Sequence, residues 1–163
     1  MNDGPRIVRG LLLIAFLIVA ACTPDRDPEQ VRWRVALTSS GGIGGQGAGS
    51  VIAASDGSLE VKRFARVCQT QLSGANVRAL QKAVGSIAPG RWKTGYLPHD
   101  QDVCCDRFYW KLDVELETDG GAVRHARADW HESAANQLPA DLGSLARLAA
   151  ELLERTVEGC EAA

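Results

Sequence analysis

Between Phe108 and Leu116 the chain alternates without a break. Phe108, Trp110, Leu112, Val114 and Leu116 are apolar, while Tyr109, Lys111, Asp113 and Glu115 between them suit water. A strand sends successive side chains to opposite faces, so this run requires one face on a core and the other in solvent. A helix would scatter the same residues around its axis. The pattern commits the chain to a sheet covered on one side only.

The remaining sequence supplies the sheet and its cover. Val31, Trp33, Val35 and Leu37 share one face of a first strand over 31–37. Segments 51–54 and 59–64 flank Asp56-Gly57, a hairpin signal that pairs them antiparallel. Asp119-Gly120-Gly121 turns the chain into a weaker strand over 122–130. Ser73 is a good N-cap for a helix whose stripe is Val77, Leu80, Val84 and Ile87, with Leu72 and Val77 placed as a hydrophobic staple and Pro89-Gly90 as the stop. A second helix is expected over 139–157, with Leu142, Leu145, Leu148, Ala149, Leu152 and Val157 on its apolar side and Gly159 ending it. Segment 91–105 reads as a loop crossed by an extended piece around Trp92. The order is β-β-β-α-β-β-α. The expected fold is α+β: an antiparallel sheet of about five strands with two helices packed on one face. A chain of 163 residues fits one domain, placed over 31–160.

The first thirty residues belong to a different category. Arg6 and Arg9 precede an uncharged run, Leu11 to Ala21. That run is short for a membrane span and fits the apolar core of a signal peptide. Val19-Ala20-Ala21-Cys22 resembles the bacterial lipobox. The resemblance implies removal of residues 1–21 and lipidation of Cys22, with several acyl chains on one residue giving firm anchoring. Thr23, rather than an aspartate, then favours the outer membrane if the host has two. Segment 22–30 carries two prolines and four charges and reads as a lipidated tether. The domain is therefore expected outside the cytoplasm, in the cell envelope, held to a membrane and facing the periplasm.

Cysteine usage follows from that address. Besides Cys22 the chain has Cys68, Cys104, Cys105 and Cys160, an even number in an oxidising compartment, where disulfides are expected. A bond between the neighbours Cys104 and Cys105 would be strained. Two pairings remain: Cys68 with Cys104 and Cys105 with Cys160, or Cys68 with Cys105 and Cys104 with Cys160. A zinc site would want paired C-x-x-C knuckles, and the sequence has none.

Composition excludes some roles. Net charge is -2 with no basic block, so nucleic-acid binding lacks electrostatic support. Gly42 to Gly47 formally matches G-x-G-x-x-G. A dinucleotide site needs a helix opening at that loop, whereas a β-like segment follows here, so no cofactor is expected. The plain reading is a flexible or bulged connection between strands. The functional one is a binding surface carried by a rigid sheet. Asp129 and His131 would share a strand face, but two ligands do not make a metal site. His99, His125 and His131 are read as solvated polar residues. No G-x-S-x-G, H-E-x-x-H or S-x-x-K motif is present, so the chain is not expected to be an enzyme.

Several of these elements occur together in a recognisable order. A strand enters Ser40-Gly41-Gly42-Ile43-Gly44-Gly45 and a hairpin follows. A helix starts at Leu72-Ser73, Cys105-Asp106-Arg107-Phe108-Tyr109-Trp110 leads a long strand, and a leucine-rich helix closes the chain. Over about residues 31–157 this resembles the emfourin-like proteins, small α+β bacterial proteins whose named member inhibits a thermolysin-like metalloprotease. The resemblance implies a non-catalytic binding domain in which the loop Ser40, Gly41, Gly42, Ile43, Gly44 and Gly45 meets a secreted or envelope thermolysin-like metalloprotease and acts by occlusion. A preformed loop loses little entropy on binding. To that pattern this chain adds the lipobox, four further cysteines and a loop that runs on to Gly49. The alternative expectation is an accessory envelope lipoprotein that associates with a membrane complex through an exposed apolar patch.

Overall fold

A computed structural model describes residues 31–45, 47–97, 107–118 and 120–161. The proposed signal peptide and tether, His99, Cys104 and Cys105 lie outside the described residues. The class is α+β, as expected, but the sheet has seven strands and is mixed. The strands are β1 (Arg32–Gly41), β2 (Ser50–Ala54), β3 (Ser58–Arg63), β4 (Arg66–Gln71), β5 (Thr94–Tyr96), β6 (Phe108–Glu117) and β7 (Val123–His131). The helices are α1 (Gly74–Gly85) and α2 (Ala140–Glu161), with three short 3-10 turns between elements. Across the sheet the order is β4-β3-β2-β1-β6-β7-β5. All neighbours are antiparallel except β5, which runs parallel to β7.

Alternation places the core as expected. Trp33, Val35 and Leu37 of β1, Val51 and Ala53 of β2, Leu59 and Val61 of β3, and Leu112 and Val114 of β6 are all buried on one face. Phe108, Trp110 and Leu116, at the ends of β6, are half-buried. Leu80 and Val84 of α1 and Leu142, Leu145, Ala149, Leu152, Leu153 and Val157 of α2 close over that face in a single core. α2 packs on β1 to β4 and on α1. Burying one such aliphatic side chain stabilises the fold by roughly 1.5–3 kcal/mol, which is why the stripe and the alternation govern the layering. The other face is polar and cross-linked by charge. Arg34 pairs with Glu115 at 4.0 Å, Lys111 with Asp113 at 3.3 Å, and Arg127 with Asp113 from the next strand.

Local chemistry accounts for the ends of the elements. Ser73 caps α1, its hydroxyl accepting from the Asn76 amide at 3.2 Å. Asp56 accepts from the Ser58 amide at 2.9 Å, and Gly57 takes φ +86° to close the β2–β3 turn. The Ser58 amide holds the Asp56 carboxyl below its ordinary range. Asp141 in the first turn of α2 accepts from the Ala88 amide at 2.8 Å and the Trp92 indole at 3.0 Å, tying the segment after α1 to the start of α2.

Four expectations need correcting. β4 is a strand the sequence reading missed, because only Cys68 among its residues is even half-buried and it lies at the sheet edge. β5 replaces the expected extended piece at Trp92 and makes the sheet mixed, since three residues are too few to show a period. β3 stops at Arg63, and Phe64 turns out of it with φ +53°. α2 continues through Gly159 to Glu161, so that glycine does not end it.

Candidate binding site at the glycine-rich end of the sheet

β1 extends beyond its apolar run to Gly41 because Ser39, Ser40 and Gly41 stay paired with Trp110, Tyr109 and Phe108 of β6. The chain then leaves the sheet as a loop over 42–49 and re-enters at Ser50. The loop is not a slack connection. Ser39 is buried, and its hydroxyl accepts from the amides of Ala48 at 2.5 Å and Gly49 at 3.1 Å. Gly42 donates to the Arg107 carbonyl at 3.1 Å, and Gly47 to the Gly41 carbonyl at 2.8 Å.

The glycines divide into two groups. Gly41, Gly42, Gly47 and Gly49 have positive φ and lie so near Arg107, Phe108, Ser39 and Lys62 that none has room for a Cβ. They form the frame. Gly44 (φ +81°) and Gly45 (φ +70°) share the backbone requirement, but nothing lies within 4 Å of where a Cβ would stand. They form the exposed tip, on a 3-10 turn over Ile43–Gly45 closed by the Gly45 amide on the Gly42 carbonyl at 3.0 Å. The side chain of Ile43 lies outside the described ones. A strand, not a helix, follows the loop, so the G-x-G-x-x-G match has no helix N-terminus to offer a pyrophosphate.

Of the expected loop residues, Ser40 pairs with Tyr109 in the sheet, Gly41 and Gly42 belong to the frame, and Gly44 and Gly45 belong to the tip. On β7, the strand beyond β6, lies a residue that the sequence reading misassigned. His131 is not solvated but 1 % exposed. Its Nδ1 accepts from the Ser133 amide at 3.2 Å and lies 2.7 Å from the Ser133 hydroxyl. The Tyr109 ring meets it edge-on, centroids 4.9 Å apart. With Nδ1 accepting, the neutral ring carries its proton on Nε2, which has no partner among the described residues. No sequence signal pointed to it: Trp130 and His131 are both buried, so the alternation of β7 fails at its end. His125 and Asp129 are exposed, as expected. Among the described residues no three metal-ligating side chains cluster.

A second feature missed in the sequence is the β3–β4 turn. Phe64 is 60 % exposed and shares a groove with Ser39 and Gly49 of the loop frame, and Val67 on β4 is exposed as well. Cys68, on β4, is disulfide-bonded, and the side chains of Cys104, Cys105 and Cys160 lie outside the described ones.

Comparison with family models, with curated proteins and with solved structures returned no match.

Proposed function

We propose that the chain is a lipid-anchored, non-catalytic binding domain of the cell envelope. In this reading it blocks a thermolysin-like metalloprotease by laying the Ile43–Gly45 tip over the enzyme's cleft. One observation carries the proposal: a tip without neighbours, projected from a frame whose glycines and Ser39 leave little room to move. A surface of that kind can be gripped by a partner without first being ordered. Anchoring rests on the lipobox at Cys22, and no described helix is long and apolar enough to cross a membrane.

The experiment is a titration of thermolysin-like activity with the full chain in detergent. Dose-dependent inhibition, abolished by Ile43→Asp with the circular dichroism spectrum unchanged, is the expected result. Undiminished proteolysis at saturating chain overturns the inhibitor reading. A second reading, an accessory envelope lipoprotein docked on a membrane complex, is favoured by the exposed Phe64 and Val67. It predicts envelope partners whose capture is insensitive to Ile43→Asp.

A further inference from the structure

The β3–β4 turn concentrates features that the Ile43–Gly45 tip does not share. Lys62, Arg63 and Arg66 surround Phe64 and are all exposed, and none makes an ion pair among the described residues. Elsewhere on the open face Arg32, Arg34 and Arg127 are matched to carboxylates on the next strand and Lys111 to Asp113 on its own. Here the guanidinium of Arg63 instead lies 5.5 Å from the centre of the Phe64 ring. Phe64 holds the only positive φ among the described non-glycine residues. A bulky side chain in that region is uncommon, and such outliers gather at functional sites.

Two grooves meet at this ring. One, about 520 Å³, is lined by Val61, Arg63, Phe64, Arg66 and Val157. The other, about 650 Å³, is lined by Ser39 and Gly49 of the loop frame together with Ser50, Lys62, Phe64 and Ala65. Val61 faces the helices and Lys62 the open side, so the grooves belong to opposite faces of the sheet and Phe64 stands between them. No carboxylate is among the described residues lining either one.

We propose that this turn docks an acidic, extended segment of a partner protein, which sets its carboxylates against Lys62, Arg63 and Arg66 and an apolar side chain against the exposed Phe64 ring. Unmatched cations select an anion, and an exposed aromatic beside an apolar groove selects something more than a bare anion. A flat bilayer reaches the turn alone. A polypeptide fills grooves on both faces. The proposal stands independently of the protease reading, because it uses no residue of the Ile43–Gly45 tip.

The test uses the full chain in detergent and a fluorescein-labelled peptide of alternating glutamate and leucine, read by anisotropy against a lysine-for-glutamate counterpart. The acidic peptide is expected to bind and to weaken with salt. Arg63→Glu with Arg66→Glu should reduce affinity by about tenfold or more, the effect of removing two exposed ion pairs and reversing their sign. Phe64→Gly removes the ring while suiting the backbone, so the fold persists and thermal unfolding is not lowered, yet binding falls by about tenfold. Ile43→Asp should leave binding unchanged, separating this surface from the loop. Equal binding of both peptides, or acidic-peptide binding that survives both the Arg63→Glu, Arg66→Glu pair and Phe64→Gly, overturns the proposal. So does sedimentation with phosphatidylglycerol vesicles that is weakened by Arg63→Glu with Arg66→Glu, without peptide binding.

Discussion

Ser39 and Gly49 are joined by three hydrogen bonds. The Ser39 amide donates to the Gly49 carbonyl at 2.9 Å, the Ser39 hydroxyl donates to the same oxygen at 3.2 Å, and the Gly49 amide returns to that hydroxyl at 3.1 Å. These bonds fasten the two ends of the glycine-rich loop to each other, so the residues between them are positioned from both sides.

Ser39→Ala removes the acceptor shared by Ala48 and Gly49 and leaves their amides unsatisfied beside a buried position. The expected cost is about 1–3 kcal/mol in urea unfolding. The sheet should persist and hydrogen exchange should rise at 47–49. Unchanged exchange there would show that the hydroxyl does not hold the loop.

Frame and tip glycines should separate cleanly under substitution. Gly49→Ala places a Cβ 2.5 Å from the Lys62 carbonyl and is expected to cost at least about 3 kcal/mol. Gly44→Ala meets no neighbour, so only the left-handed backbone opposes it, at about 1–2 kcal/mol. Equal losses for the two would contradict the division.

At Asp141 burial works to raise the carboxyl's pKa, but hydrogen bonds from the Ala88 amide and the Trp92 indole outweigh it and hold the group below its ordinary value. A depressed carboxyl stabilises the folded state above the unfolded pKa of about 3.9, and that stabilisation is lost as pH falls through the lower folded value. Asp141→Asn should flatten this acid limb of the stability profile and shift Trp92 emission at neutral pH. An acid limb identical to wild type would assign it to other carboxylates.

Reduction should destabilise the domain by about 2–4 kcal/mol per bridge, seen as a lower unfolding midpoint in dithiothreitol. Non-reducing peptide mapping is expected to link Cys68 to Cys104 or Cys105, and Cys160 to the other. A peptide joining Cys68 to Cys160 would overturn that pairing.

What could be read in the sequence was whatever buries apolar surface with a period. β1, β6 and both helices carry Trp33 to Leu37, Leu112 to Val114, Leu80 with Val84, and Leu142 to Val157, and each is dictated by the core. β4 carries no such pattern, because an edge strand with Arg66, Gln69 and Gln71 in water is held by backbone pairing to β3. At the site, the glycine motif announced a loop. It could not say which glycines were pinned, since that depends on Arg107, Phe108 and Lys62, which approach through tertiary packing. His131 is covered by Tyr109, distant in sequence, whereas the positive φ of Phe64 belongs to the two-residue β3–β4 turn itself.

Among the described strands the central one of the sheet, β1, is the first made. β1 is paired along its length with β6, Arg32 opposite Glu117 and Gly41 opposite Phe108. During synthesis β1 can pair with β2 early, but Trp33, Val35 and Leu37 stay uncovered until α2, which packs over them, has emerged. Closing so long a loop is slow, which places this domain among the slower-folding topologies.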